Sequence, residues 1–414
     1  MLNVPKKLSS IIEYRNYFGG ADPEKGITIN VDTQKNPFEM DHDIADPSNY
    51  LMFYSLQAYY LNGGGPCYIV SIGDYSGGGL ISKEAILDGL KAAEKLDEIT
   101  LIVYPDGTNI EPAADYYAIV NQSLFQCNKL KDRFTICDVY MHSDPAINDT
   151  DILRNTLAGS VNELKYGASY YPYLEMQLGH DYNNSDMMVN KDGIPTTLNI
   201  LETGDQVLFN QLQHYINNIP LILPPSSAVA GIYAQVDATR GVWKAPANVN
   251  VSAAIKPTIN ISNQDQEILN VDVNSGKSIN AIRPFTGHGA AIVWGARTLA
   301  GNDNEWRYIP VRRFFNMVEE SVKKATSPFV FEPNISNTWI RIKTMIENFL
   351  NLQWRAGALA GAKSEEAFFV QVGLGMTMTH QDILEGKLII EIGMATIRPA
   401  EFTILKLILK MQGA

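Results

Sequence analysis

The stretch IRPFTGHGAAIVWGARTLAGNDNEWRYIPVRRFFNMVEESVKKATSPFVFEPN, residues 282–334, decides how this chain is built. Ala290 to Trp294 is a short apolar run bounded by Gly287, Gly289 and Gly295, the pattern of a buried strand. Gly301, Asn302, Asp303 and Asn304 supply turn chemistry, and Trp306, Tyr308 and Ile309 resume an extended segment. Pro310 stands where the first helical turn tolerates a missing N–H. Val311, Phe314, Phe315, Val318 and Val322 then recur at spacings of three and four and share one helix face. Glu319 with Lys323, and Glu320 with Lys324, lie four apart with the acid first, which predicts a solvated opposite face. Nothing in the stretch is a nucleophile, a metal cluster or a phosphate cradle. It is packing and surface.

On its C-terminal side, Ser336 or Asn337 opens a helix of about twenty residues with Trp339, Ile342, Ile346, Phe349 and Leu350 as its stripe. Strands follow at Phe368–Val372, Lys387–Ile397 and Phe402–Met411, the last two joined through Arg398, Pro399 and Ala400. The final strand carries Leu405, Leu407, Leu409 and Met411 on one face and Ile404, Lys406, Ile408 and Lys410 on the other. A terminal strand so apolar, with only lysines as gatekeepers, needs a partner.

Toward the N-terminus the pattern alternates. Strands at Cys67–Ile72, Ile99–Tyr104, Phe134–Tyr140 and Tyr166–Leu174 are separated by helices at 82–96, 113–130 and 150–157. Continuous apolar strands spaced by helices predict a parallel sheet covered on both faces. Further helices are expected at Ser9–Phe18, Tyr50–Leu61, Val207–Ile216 and Ala228–Val236, and an extended piece at Ile268–Val273. Residues 1–50 are polar and turn-rich, and Gln177–Thr203 reads as a surface excursion. The fold class is therefore α/β, or α+β overall. A parallel-sheet α/β domain over about 60–220 precedes a C-terminal α+β domain with a mixed sheet and two long amphipathic helices. The expected division is an N-terminal segment 1–50, an α/β domain 51–223, a second domain 224–400 and a terminal strand 401–414.

Composition narrows the function classes. No run of eighteen apolar residues exists and MLNVPKKLSS has no hydrophobic signal core, so membrane insertion is not expected and the chain is read as cytoplasmic in origin. Cys67, Cys127 and Cys137 form no disulfide or metal pattern. Charge is divided unevenly: from Arg240 onward there are 19 basic against 15 acidic residues, and before it 14 against 30. Such asymmetry fits two faces with different neighbours. The basic residues are scattered rather than interleaved with aromatics, so nucleic-acid binding is not expected.

A search for chemistry finds little. Gly276–Lys277–Ser278 imitates the end of a phosphate loop, but position 271 is Val where that motif needs Gly. Glycines 63–65 and 77–79 lack dinucleotide spacing. His42, His142, His180, His214, His288 and His380 have no zinc-ligand partners at the required spacing. Asp41–His42–Asp43 reads as a solvated turn, and His180–Asp181 has no Ser or Cys nucleophile in an elbow motif. Arg312 and Arg313 are read as the wet face of their helix or as a contact for an acidic partner. No cofactor, no metal and no enzymatic function is expected. The alternative is a cytosolic α/β enzyme with an unrecognised site, which the parallel sheet permits.

The runs PPSSAVAGIYAQVDATRGVWKAPAN (224–248), GHGAAIVWGARTL (287–299), WRYIPVRRFF (306–315), FVFEPN (329–334), GALAG (357–361) and EEAFFVQVG (365–373) resemble the tail sheath proteins of contractile injection systems. That family includes phage tails, R-type pyocins and extracellular phage-tail-like particles. FGG (18–20), IVYPD (102–106) and YGASYYPYL (166–174) agree in the same order. The resemblance implies a structural subunit that polymerises as six-fold layers around an inner tube and contracts to drive the tube through a target envelope. It implies partners in the tube, baseplate and terminator or cap proteins, and assembly in the bacterial cytoplasm. It places the 224–400 domain inward and the 51–223 domain outward. Sheath subunits exchange terminal strands, which points to Phe402, Ile404, Leu405, Leu407, Ile408 and Leu409. Arg341, Lys343, Arg355 and Lys363 become expected tube contacts, and Arg312, Arg313, Lys323 and Lys324 expected subunit contacts. Family members usually begin with an extended arm, so a start at MLNVPKK implies either a shortened arm or a Met1 that is not the native start.

Overall fold

The computed structural model describes residues 2–77, 80–142, 144 and 146–397, and the backbone of 402–410. At its centre is a six-stranded sheet. In spatial order it contains Val249–Asn250, β7 (Gly289–Trp294), β6 (Ile279–Phe285), β5 (Gly167–Tyr171), β4 (Phe134–Asp138) and β3 (Leu101–Ile102). The four strands from β6 to β3 run parallel, while β7 is antiparallel to both of its neighbours. All five residues of β4 are buried, as a strand covered on both faces requires.

One face carries α2 (Lys83–Ala93) and α3 (Ala113–Leu130), with Tyr116, Tyr117, Val120, Leu124 and Cys127 in the core. The other carries α1 (Met52–Leu61) and α4 (Ser226–Arg240), through Phe53, Tyr54, Val229, Ile232 and Tyr233. The bounds of α3 are those expected from its periodicity, and Ser82 caps α2 by accepting from the Ala85 N–H. The sheet takes strands from both sides of position 223, because Ile279, Asn280 and Ala281 of β6 pair with Ser169, Tyr170 and Tyr171 of β5. The expected division at 223/224 thus runs through hydrogen-bonded neighbours.

Two segments read as polar surface combine into a lobe of their own. Ile27–Asp32 and Glu39–Ile44 join Met188–Lys191 and Ile194–Thr197 in a four-stranded sheet. Ile27, Ile29 and Val31 alternate inward onto Val189, Leu212 and Ile216. The Gln177–Thr203 excursion is therefore half of a small core whose other half lies about 160 residues earlier in the chain, as in the pairing of Asn30 with Asn190. Ile268–Val273 also departs from expectation. Asn263–Asn270 is a helix, opened by a capping box between Ser262 and Asp265.

The C-terminal layer holds the two long helices, α5 (Ile309–Thr326) and α6 (Ser336–Arg355), against a three-stranded antiparallel sheet. Its strands are β8 (Phe368–Val372), β9 (Lys387–Ala395) and β10 (Phe402–Lys410). Phe314, Phe315, Val318, Ile342, Ile346, Leu350, Ile390 and Ile392 make its core. The second strand expected at 306–309 contracts to a single bridge between Arg297 and Tyr308, and α5 starts at once with Pro310 in its first turn. Residues 398–400, expected to link β9 to β10, lie outside the described residues.

Candidate assembly surfaces

The first turns of α5 form a joint rather than a surface. Arg312 is 2% exposed and Arg313 is 7% exposed. Arg312 donates from Nη2 to Glu319 Oε1 at 2.7 Å and from Nε to Asn316 Oδ1 at 2.8 Å. Its guanidinium lies 4.4 Å from the Trp306 ring centroid and 4.9 Å from that of Tyr166. Arg313 holds Asp237 of α4 by a two-pronged pair, with Nη1 donating to Oδ1 at 2.9 Å, and lies over Tyr233 at 4.8 Å. Asn316 also donates to the carbonyl of Arg133, just before β4. The expected wet face of α5 is thus partly buried against the central sheet. Glu319 turns inward to Arg312 instead of outward to Lys323. The signal was present in the spacing: Arg312, Asn316 and Glu319 stand at i, i+4 and i+7, one stripe of complementary polar groups.

The outer end of α5 behaves as expected. Lys323 is exposed, and Lys324 pairs with Glu320 at 2.5 Å and with Asp97 at 3.4 Å.

Helix α6 is open along one side. Thr338, Ile342, Ile346 and Leu350 are buried. Asn337, Arg341, Thr344, Asn348, Leu352 and Arg355 follow one another at spacings of three and four on the exposed side. Arg341 touches Glu332 only at 3.7 Å and lies over Phe329 at 5.2 Å, and Lys343 reaches Glu347 at 3.7 Å. These are loose, solvated pairs that leave both cations available. Ile340 and Leu352 are each 63% exposed beside them, and Phe331 and Ile335 are exposed at the start of the helix. Exposed apolar groups mixed with loosely paired, solvated cations suit contact with another protein. Lys363 is exposed in the turn after α6.

β10 pairs with β9 along its whole length, from Phe402 opposite Ala395 to Lys410 opposite Lys387. Its other edge is the rim of the sheet among the described residues. The backbone of Phe402, Ile404, Leu405, Leu407, Ile408 and Leu409 is held on one side.

Groups that imitate chemistry have structural duties. Asp138 accepts from the Ser226 amide at 2.7 Å and from its hydroxyl, closing the N-terminus of α4. Burial pushes its carboxyl up to about 7, with the Ser226 hydrogen bonds opposing the shift. Asp106 does the same for α1 by accepting from the Leu51 amide at 2.6 Å, and burial pushes it up to about 6. Burial also pushes the Cys127 and Cys137 thiols up to about 12, far from a reactive thiolate. Lys277 donates to the Arg154 carbonyl, so the imitation phosphate loop is a pinned turn. His42 contacts the Tyr215 hydroxyl, and His180 is buried 3.7 Å from Glu24. Among the described residues no group of three or more His, Cys, Asp and Glu side chains is arranged to hold a metal ion. No described helix is long and apolar enough to cross a membrane.

The family description "Phage tail sheath C-terminal domain" matches residues 301–410, from the turn before α5 through β10. A chain of the anti-feeding prophage baseplate is 33% identical over 98% of this chain and 87% of that one, with a TM-score of 0.67. This chain belongs to the contractile tail sheath family. Its likeness extends to the helical sheath of the anti-feeding prophage in the contracted state, at 32% identity, 98% and 88% coverage and a TM-score of 0.65. A sheath complex of an extracellular contractile injection system, also contracted, is 29% identical over 98% of this sheath protein and 87% of that chain, with a TM-score of 0.67. Curated proteins contain no match. In this sheath protein the family match covers both the buried joint and the open helix, and the likeness to solved structures takes in the central sheet as well.

Proposed function

We propose that this sheath protein polymerises as six-fold layers around an inner tube and contracts, without a cofactor and without catalysis, to drive the tube through a target envelope. What carries the reading is the likeness, over nearly the whole chain, to a chain from a contracted helical sheath. The particle is of the phage-tail-like kind, assembled in the bacterial cytoplasm on a baseplate and closed by a terminator or cap protein. The C-terminal layer faces the tube and the central sheet with its acidic lobe faces outward. Arg341, Lys343, Arg355 and Lys363 supply the cations for an acidic tube surface, and Ile340 and Leu352 supply apolar contact beside them. Lys323 and Lys324 lie at subunit boundaries, while Arg312 and Arg313 act inside the subunit as the joint between its layers. β10 leaves its own β9 and adds to the sheet of a neighbour, keeping the lattice connected while other contacts exchange. A gain of about 1–3 kcal/mol per subunit, the ordinary scale of a coupled rearrangement, becomes large over a long polymer.

The test is a truncation ending at residue 401, co-expressed with tube and baseplate proteins and viewed by negative-stain microscopy. The full chain is expected to give hollow striated cylinders and the truncated chain only dispersed, folded subunits. Cylinders from the truncated chain would sink the role given to β10, and dispersed particles from the full chain would sink the sheath reading itself.

A further inference from the structure

The connection from Cys67 to Tyr104 contains an unfinished sheet. CYIVSI (67–72) and ITLIVY (99–104) are six-residue apolar runs suited to buried strands. They are joined by α2, and strands joined by one crossover helix usually pair directly in parallel. Here they do not. Among the described residues β2 (Cys67–Ile69) pairs with β1 (Lys6–Leu8), with Lys7 opposite Tyr68, β3 pairs with β4, and neither pairs with the other. Between them lies a cavity of about 670 Å³, lined by every residue from Cys67 to Tyr75 and from Glu98 to Gly107. Two free strand edges therefore face each other across a gap, and main-chain groups in such a position call for partners.

The two walls are held by different neighbours. Arg133 donates to the carbonyls of Ala93 and Leu96 at 3.1 and 2.7 Å, Gln126 to that of Leu90 at 3.0 Å, and Lys83 pairs with Asp115 at 2.7 Å. The crossover helix is anchored to α3. The 67–72 segment is tied to β3 at its start, where the Tyr68 hydroxyl donates to Glu98 at 2.9 Å and Lys7 pairs with the same carboxylate. Beyond that pin the Asn3 amide donates to the Ser71 carbonyl at 2.8 Å, which holds the segment to the N-terminal residues, and beside Gly73 a Cβ would meet nothing.

We propose that Cys67–Ile72 is a strap with two positions. The open one is seen here. In the closed one it pairs in parallel with Ile99–Tyr104, closing the gap between the two edges, and joins the β1–β2 ribbon to the six-stranded sheet. Closure carries Lys6–Leu8 with it, so the N-terminal segment takes two positions relative to the central sheet. The inference rests on the fold and not on the sheath reading.

Hydrogen exchange on the unmodified chain tests it. The amides of Val70–Ile72 and Leu101–Val103 are expected to exchange at least about tenfold more slowly than the loop amides at 73–74, because the closed state protects them. A second measurement uses S71C with V103C in a C67S background, the two positions standing on the same side of their strands by alternation. Mild oxidation of the folded variant is expected to link them, read as loss of two free thiols. Loop-rate exchange in the unmodified chain together with no link in the folded variant overturns the proposal. If the variant does not fold, the exchange rates decide alone.

Discussion

Helices α5 and α6 carry the same kinds of residue on opposite terms. Both are long, both bury an apolar stripe in one shared core, and both place two basic residues near their beginning. In α5 those residues are enclosed, stacked on aromatic rings and paired with Glu319 and Asp237. In α6 they stand in solvent with carboxylates no closer than 3.7 Å. The difference lies in what each helix meets opposite its polar side. The start of α5 abuts the central sheet, whereas the open side of α6 is exposed, with Arg341 touching Glu332 and Phe329 loosely among the described residues. An arginine that finds its partner inside the chain serves as a joint. One whose partners are loose and solvated remains available to another protein.

The comparison can be broken most severely at the joint. Arg313→Ala leaves Asp237 without its cation beside α4, and Arg312→Ala leaves Glu319 likewise. Each is expected to cost about 3–5 kcal/mol, the usual price of stranding one member of a buried pair, as measured by urea unfolding. Arg312→Ala and Glu319→Ala combined should cost less than the sum of the single changes, since the pair is removed together. Additive losses would show that the two groups do not act as a pair.

A smaller effect comes from the capping carboxylates on the central sheet. Asp138 and Asp106 titrate in the folded chain at about 7 and about 6, above the ordinary carboxylate value of about 4. A raised folded pKa means the protonated form is favoured by folding. The stabilisation it supplies is present in full below about pH 4 and is lost as pH rises through 6 to 7. Unfolding free energy should therefore carry a falling component between about pH 4 and about pH 7. Asp138→Asn, with a cost of about 0.5–1.5 kcal/mol for the altered hydrogen bonds, should flatten that component. An unchanged slope in the variant would remove Asp138 from the account.

The smallest effect on stability is expected on the open helix. Arg341→Glu with Lys343→Glu should change unfolding by no more than about 0.5 kcal/mol, because both cations are solvated. The same pair should abolish assembly on the tube, and association of the unchanged chain should weaken with salt. Normal assembly by the variant would exclude these two residues as tube contacts.

How much of this was legible differs by region. α3 and the apolar stripe of α6 follow from periodicity alone, because each helix finds its core within a few turns of sequence. The 301–410 region was readable from its own runs, which carry the family pattern. The small lobe was not, since Ile27–Asp32 has only three inward residues and its partner strand lies far along the chain. Arg312 and Arg313 were misplaced because a charged residue beside an apolar stripe reads as solvated unless its partners are known. Asp237 lies 76 positions away, although Glu319 stood two turns along the same helix. The strap was visible in sequence as two full strands, and only the structure reveals that their facing edges are apart.

A cryo-electron microscopy map of the assembled particle tests the central claim most directly. The account predicts six subunits per layer, the open side of α6 against the tube with Arg341 and Lys343 on acidic residues, and the α5 joint intact inside every subunit. A lattice in which α6 faces outward, or in which Arg313 releases Asp237 to contact a neighbouring subunit, would contradict it.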